Sequence, residues 1–79
     1  MSKKFVRLTF PQELIKEPII YRVAKDYNVI PNIRRAKVTE NVGEVVLELE
    51  GTDNNLEKSI SYLDNLGVKV ESIVGDILE

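Results

Sequence analysis

Three glutamates, Glu44, Glu48 and Glu50, alternate along one stretch of a 79-residue chain. Residues spaced by two share one face of a strand. Carboxylates in that pattern could act as a general acid and base on a sugar, or hold a hard cation. Arg35 and Lys37 lie on the preceding stretch and would neutralise them, and glutamate is mostly solvent-exposed, so the trio reads as a solvated face. Arg34, Arg35 and Lys37 form a short basic run that could contact phosphate. In a chain of net charge −2 it reads instead as charge guarding an edge strand against sheet-to-sheet aggregation. Tyr21, Tyr27 and Tyr62 fall on or beside helical stripes, with no candidate base next to them. Cysteine and histidine are both absent. That removes the thiol nucleophile, the cysteine-ligated metal and the disulfide framework, together with the commonest general base near neutral pH. No Gly-rich phosphate loop and no nucleophile elbow occurs. The expectation is a protein with no catalytic residues, no metal site and no cofactor.

The elements that carry these residues are legible from periodicity. Phe5 to Phe10 alternates, with Val6, Leu8 and Phe10 on one face, and Pro11 ends it. Glu17-Pro18 reads as a helix start. Ile20, Val23, Ala24 and Tyr27 then recur at helical spacing, Asn28 suits a left-handed cap, and Pro31 excludes further helix. Asn32 to Thr39 reads as a second strand, with Ala36 and Val38 facing in and Ile33, Arg35 and Lys37 facing out. Glu44 to Glu50 is a third strand, with Val45, Leu47 and Leu49 inward. A hairpin loop over Glu40–Gly43 with Gly43 left-handed would set Ala36 opposite Leu47, Val38 opposite Val45 and Arg35 opposite Glu48. Thr52, Asp53 and Asn54 are all suitable helix caps, and Asn54 with Glu57 would make a capping-box-like pair. Leu56, Ile60 and Leu63 give the next helical stripe. Gly67 ends it in a Schellman turn that brings Val68 onto Leu63. Val68 and Val70 face inward from a last short strand, and Ile73, Val74, Ile77 and Leu78 make an apolar tail.

These signals predict strands near 3–10, 32–40, 43–51 and 68–73, and helices near 17–28 and 54–66. The order βαββαβ fits a ferredoxin-like α+β sandwich: a four-stranded antiparallel sheet with two helices on one face. It accounts for residues 1–79 as a single domain. The expected core is Val6, Leu8, Ile20, Val23, Ala24, Val38, Val45, Leu47, Leu49, Leu56, Ile60, Leu63 and Val70. A core this small is thin, and such domains gain stability by pairing. RNA-binding members of this fold class need aromatics on the third strand. Here that strand is acidic and aliphatic, so nucleic acid is not an expected partner. No run is long enough to span a membrane, and the basic start Met1-Ser2-Lys3-Lys4 is not followed by a long apolar run. A cytoplasmic protein without direct membrane insertion is the expectation.

Four stretches taken together carry a resemblance. They are Pro18-Ile19-Ile20 through Val29, then Asn32-Ile33-Arg34-Arg35-Ala36, then Gly43-Glu44-Val45-Val46-Leu47-Glu48-Leu49-Glu50-Gly51, then Tyr62-Leu63-Asp64-Asn65-Leu66-Gly67-Val68-Lys69-Val70-Glu71. In order and spacing the chain resembles the NIL domain, the ACT-like C-terminal regulatory module of the ATPase subunit of bacterial methionine ABC importers. That family is named for Asn-Ile-Leu at the start of the second strand. This chain keeps Asn32 and Ile33 and has Arg34 in place of leucine. The resemblance implies pairing of two such domains and methionine binding that inhibits transport when methionine is ample. The family also occurs fused to iron–sulfur ferredoxin modules linked to sulfur amino-acid synthesis. Neither an ATPase nor a ferredoxin module is present in these residues, so the chain is expected to be a stand-alone regulatory or docking domain, or a sensor appended to something larger.

On that resemblance the ligand-binding residues are expected to be Asn32, Ile33 and Arg34. The Asn32 amide offers both a donor and an acceptor to an amino acid, and Ile33 offers an apolar wall. Arg34 either turns outward, pairs with a ligand carboxylate, or fills the space leucine would leave. Asn32 is equally suited simply to end a turn. Two functions follow: a homodimeric sensor of methionine or a related amino acid, or a docking module that has lost the ligand and binds a protein partner of a sulfur amino-acid system by a strand edge or sheet face. An enzyme is a distant third, because no nucleophile–base pair or metal set exists.

Overall fold

The computed structural model describes residues 1–73. Its elements are β1 (Ser2–Phe10), a 3-10 turn (Gln12–Leu14), α1 (Ile19–Tyr27), β2 (Ile30–Val38), β3 (Gly43–Gly51), α2 (Asp53–Leu66) and β4 (Lys69–Ser72). The strands form one sheet in the order β2-β3-β1-β4, and all neighbours are antiparallel. Two helices on a four-stranded antiparallel sheet in this chain order make the ferredoxin-like α+β fold that the periodicities predict. Of the expected apolar tail, Val74, Ile77 and Leu78 lie outside the described residues.

The helix ends show how local chemistry places the elements. Pro18 is the residue before α1 rather than its first helical residue. Asn28 closes α1 in the left-handed conformation, with φ 54°, and the following Val29 turns into the core. At α2 the cap is Thr52, whose hydroxyl accepts from Asn55 N–H at 3.1 Å. The Asn54–Glu57 pair lies inside the helix and does not cap it. Thr52→Ala is therefore expected to cost about 1 kcal/mol, read as a lower urea midpoint with an unchanged slope. At the other end Gly67 has φ 97°. Its N–H bonds Asp64 O at 3.0 Å while Val68 N–H bonds Leu63 O at 3.1 Å, the paired bonds of the expected Schellman turn.

The core lies between the helices and one face of the sheet. Val6, Leu8, Val45, Leu47 and Leu49 meet Ile19, Val23, Leu56 and Leu63 there, closed by Val29 and Val68. The expected core residues Ile20, Ala24, Ile60 and Val70 are half-buried. Ile19 and Val29 were not expected in the core. The α1 stripe is centred on Ile19 and Val23, one position earlier than its apolar periodicity suggests. Gly51 lets Val29 approach, because a Cβ added to Gly51 would meet Val29 Cγ1 at 3.0 Å. Ser59, polar and buried, donates its hydroxyl to Leu56 O at 2.8 Å. Between the helices the Tyr27 and Tyr62 rings sit 5.2 Å apart.

The hairpin between β2 and β3 departs from expectation. The loop is Thr39–Val42, closed by Thr39 N–H on Val42 O at 2.7 Å. The Thr39 hydroxyl also accepts from Asn41 N–H and Val42 N–H. This side-chain turn shortens β2 at its end, puts Val38 opposite Gly43 and leaves Gly43 outside the left-handed region. Ala36 then faces Val45 and Arg35 faces Val46, not Leu47 and Glu48. The shift is two residues, so inward and outward faces survive from Arg35 to Val38. A bulge between Ile33 and Arg35 then absorbs Arg34. The extra residue reverses the facing before it, so Ile33 lies opposite Leu47 on the helix side and not on the outer face.

Val38 corrects the predicted core. It has the inward facing expected of it, yet 58% of its surface is exposed. β2 is the sheet edge, and the short α1 packs on α2 more than over this strand. A cleft of about 250 Å³ remains between the start of α1 and the end of β2, walled by Phe10, Leu14, Ile19, Tyr21, Val38 and Val45. Val46 is the reverse case. It faces away from the helices but is buried, flanked in register by Arg7 and Arg35. Arg7 reaches Glu44 on β3 at 3.8 Å and Glu71 on β4 at 3.6 Å, and long cationic side chains commonly cover apolar surface with their stems.

Candidate functional site

The start of β2 is built by the cap before it and the bulge within it. Asn28 ends α1 and Val29 anchors the chain in the core, so β2 begins at Ile30 already against β3. Asn32 lies opposite Glu48, and its Nδ2 donates to Glu48 Oε1 at 3.5 Å. Arg34, set by the bulge, brings its guanidinium to 3.9 Å from the same oxygen. Lys3 of β1 approaches the other oxygen, Oε2, at 3.4 Å. The side chain of Glu48 is only 13% exposed. In register it is flanked by Phe5 on β1 as well as Asn32 on β2.

Of the three residues expected to bind a ligand, the fold thus brings together Asn32 and Arg34 on the sheet face away from the helices. Ile33 is separated from them by the thickness of the strand. It faces the helix side with 54% of its surface exposed, because neither helix covers the edge. Asn32 sits within the strand, so it does not end a turn. The residue that sequence reasoning passed over is Glu48, grouped there with Glu44 and Glu50 as a solvated face. Its pairing with Asn32 and Arg34 depends on the bulge, for which the sequence carries no distinct signal.

The arrangement can bind but has little with which to catalyse. It offers an amide, a guanidinium, an ammonium and a partly buried carboxylate, all on strands and therefore well positioned. Among the described residues no group of three or more acidic, histidine or cysteine side chains is placed to hold a metal ion. The apolar cleft at the opposite end of β2 includes none of Asn32, Ile33 and Arg34.

Comparison with known proteins bears on the family of the chain. The family profile described as the NIL domain matches residues 4–72. The methionine import ATP-binding protein MetN of Bacillus subtilis is 28% identical over 76 residues, covering 91% of this chain and 22% of that protein. The methionine import ATP-binding protein MetN 2 of Listeria innocua is 31% identical over 72 residues, covering 86% of this chain and 21% of that protein. The chain thus spans about a fifth of the length of these curated relatives. Among solved structures, the C-terminal domain of an ABC transporter ATP-binding protein from Enterococcus faecalis superposes with a TM-score of 0.78 at 32% identity, covering 91% of this chain and 84% of that one.

Proposed function

Because this chain belongs to the NIL domain family, we propose that it is a non-catalytic regulatory domain that senses methionine or a related amino acid as a homodimer. The observation that carries this reading is the match, over nine-tenths of the chain, to proteins named for methionine import. The ligand lies against the start of β2, where Asn32 supplies an amide and Arg34 a guanidinium to the polar end of an amino acid. Ile33 supplies apolar surface from the other side of the edge.

Pairing uses the same strand. Every one of the nine β2 residues except Pro31 is exposed, and Ile30, Ile33 and Val38 are large apolar members of the strand. A long exposed edge with apolar side chains is a template for strand addition. A second copy is the simplest partner, by an isologous two-fold contact. The proposed location is the cytoplasm, beside ATP-binding relatives. No described helix is long and apolar enough to cross a membrane.

Thermal and urea melts with methionine and related sulfur amino acids, in the parent and in Asn32→Ala, test the sensor. A ligand at a hundred times its dissociation constant adds about 2.7 kcal/mol to the stability of the state it binds. The expected outcome is a stabilisation of that size in the parent and its loss in Asn32→Ala. A shift retained in Asn32→Ala keeps the sensor and removes Asn32 from it. A parent unmoved by saturating amino acid favours the second reading, a docking module for a protein of a sulfur amino-acid system, for which the exposed β2 edge is the surface.

A further inference from the structure

Donors from two neighbouring strands converge on the Glu48 carboxylate: Lys3 Nζ at 3.4 Å, Asn32 Nδ2 at 3.5 Å and Arg34 NH1 at 3.9 Å. All three contacts are longer than the roughly 2.7–2.9 Å of a well-formed bond between a cationic N–H and a carboxylate. An ionised carboxylate can accept at about four lone-pair positions, so Glu48 has capacity that these long contacts do not use well. Its side chain is 13% exposed, whereas those of Lys3 and Arg34 are 56% and 38% exposed. The acid therefore sits lower on the sheet face than either cation. Phe5 flanks it in register on β1, and Ile30, 57% exposed, is on the same face of β2 as Asn32.

A partly buried anion bordered by two raised cations complements a zwitterion. A free α-amino acid carries its ammonium and carboxylate on one carbon. Its ammonium can replace the long contacts on Glu48 with a short charge-assisted bond, and its carboxylate can take up the two cations. Resting on the sensor reading above, we infer that Glu48 is the residue that recognises the ammonium group of a free α-amino acid. Lys3 and Arg34 receive its carboxylate, Asn32 bonds alongside, and Phe5 and Ile30 line the way for its side chain. The site selects for an unblocked amino acid, whose charged end lies on the helix-free face of the sheet.

The test is calorimetric titration of the 79-residue chain with L-methionine, N-acetyl-L-methionine and L-methioninamide, repeated with Glu48→Gln. Acetylation removes the ammonium charge, and amidation removes the carboxylate charge. The parent is expected to bind L-methionine at least about tenfold more tightly than either blocked form, the scale of one lost charge-assisted bond. Glu48→Gln is expected to weaken L-methionine by a similar factor and to abolish the preference over the N-acetyl form while keeping the preference over the amide. That selective loss is something a merely structural role would not produce. Equal binding of L-methionine and its N-acetyl form by the parent overturns the assignment without any variant. An unchanged preference in Glu48→Gln overturns Glu48 and leaves the sensor standing. A parent that binds L-methionine in none of these titrations overturns the sensor, and the assignment of Glu48 with it.

Discussion

Leu47→Ala will lower the stability of this domain by about 2–5 kcal/mol, the cost of deleting a large buried side chain and leaving a cavity. Leu47 sits at the centre of β3, 1% exposed, with Val6 beside it on β1 and Ile33 beside it on β2. Below it, Leu8, Ile20, Val23, Leu49 and Leu63 close around a void of only about 10 Å³. With strands on both sides there is little that can collapse into the space. Small domains hold about 5–15 kcal/mol in all, so the loss removes a large part of the total. Urea unfolding followed by far-UV circular dichroism reads it directly. Val38→Ala is the matched control. It truncates a residue of the same sheet face that the helices leave exposed, and the change is expected within about 0.5 kcal/mol at concentrations where the chain is monomeric. Equal midpoints for Leu47→Ala and the parent would contradict the core described here.

The second large effect is on assembly. The double variant Ile33→Asp, Val38→Asp is expected to weaken homodimerisation by about a hundredfold or more, since leaving an unpaired charge at a buried contact costs about 3–5 kcal/mol. Both positions are exposed in the single chain, so its fold and its melt at low concentration should stay as in the parent. Light scattering across a concentration series makes the comparison. The parent should rise from 9.0 kDa toward twice that mass, while the variant stays at the mass of one chain. A parent that never leaves the single-chain mass refutes the homodimer. A variant that pairs as the parent does moves the interface away from β2.

The candidate site was legible only in part. Asn32 and Arg34 stood out because they open the second strand in a run that resembles the NIL domain. Their common partner did not stand out. Counting back from a loop at Glu40–Gly43 pairs Arg35 with Glu48, whereas the Thr39 hydroxyl closes the turn one residue earlier and the bulge shifts the pairing again. Two short-range events decide which side chains meet on the sheet face. Ile33 shows the same effect in the other direction, moved by the bulge to the face opposite its expected neighbours.

What the residues determined by themselves was the kind and order of the helices and strands. The alternation of Val6, Leu8 and of Val45, Leu47, Leu49 made strands with one apolar face. The stripes through Val23 and through Leu56 and Leu63 made helices to cover it. Asn28 and Gly67 set their C-terminal ends. Those local rules are enough to specify βαββαβ and, through short connections and right-handed crossovers, the ferredoxin-like fold. Only the tertiary structure decided how far the cover extends. Val38 has the pattern of a core residue and Val46 that of a surface residue, yet the first is exposed and the second buried. Burial depends on what lies across the sheet, and periodicity records only which way a side chain points. The position of Glu48 beneath Lys3, Asn32 and Arg34 belongs to the same class, because contacts between strands distant in sequence are set by register, and register was settled by a hydroxyl in a turn and one extra residue in an edge.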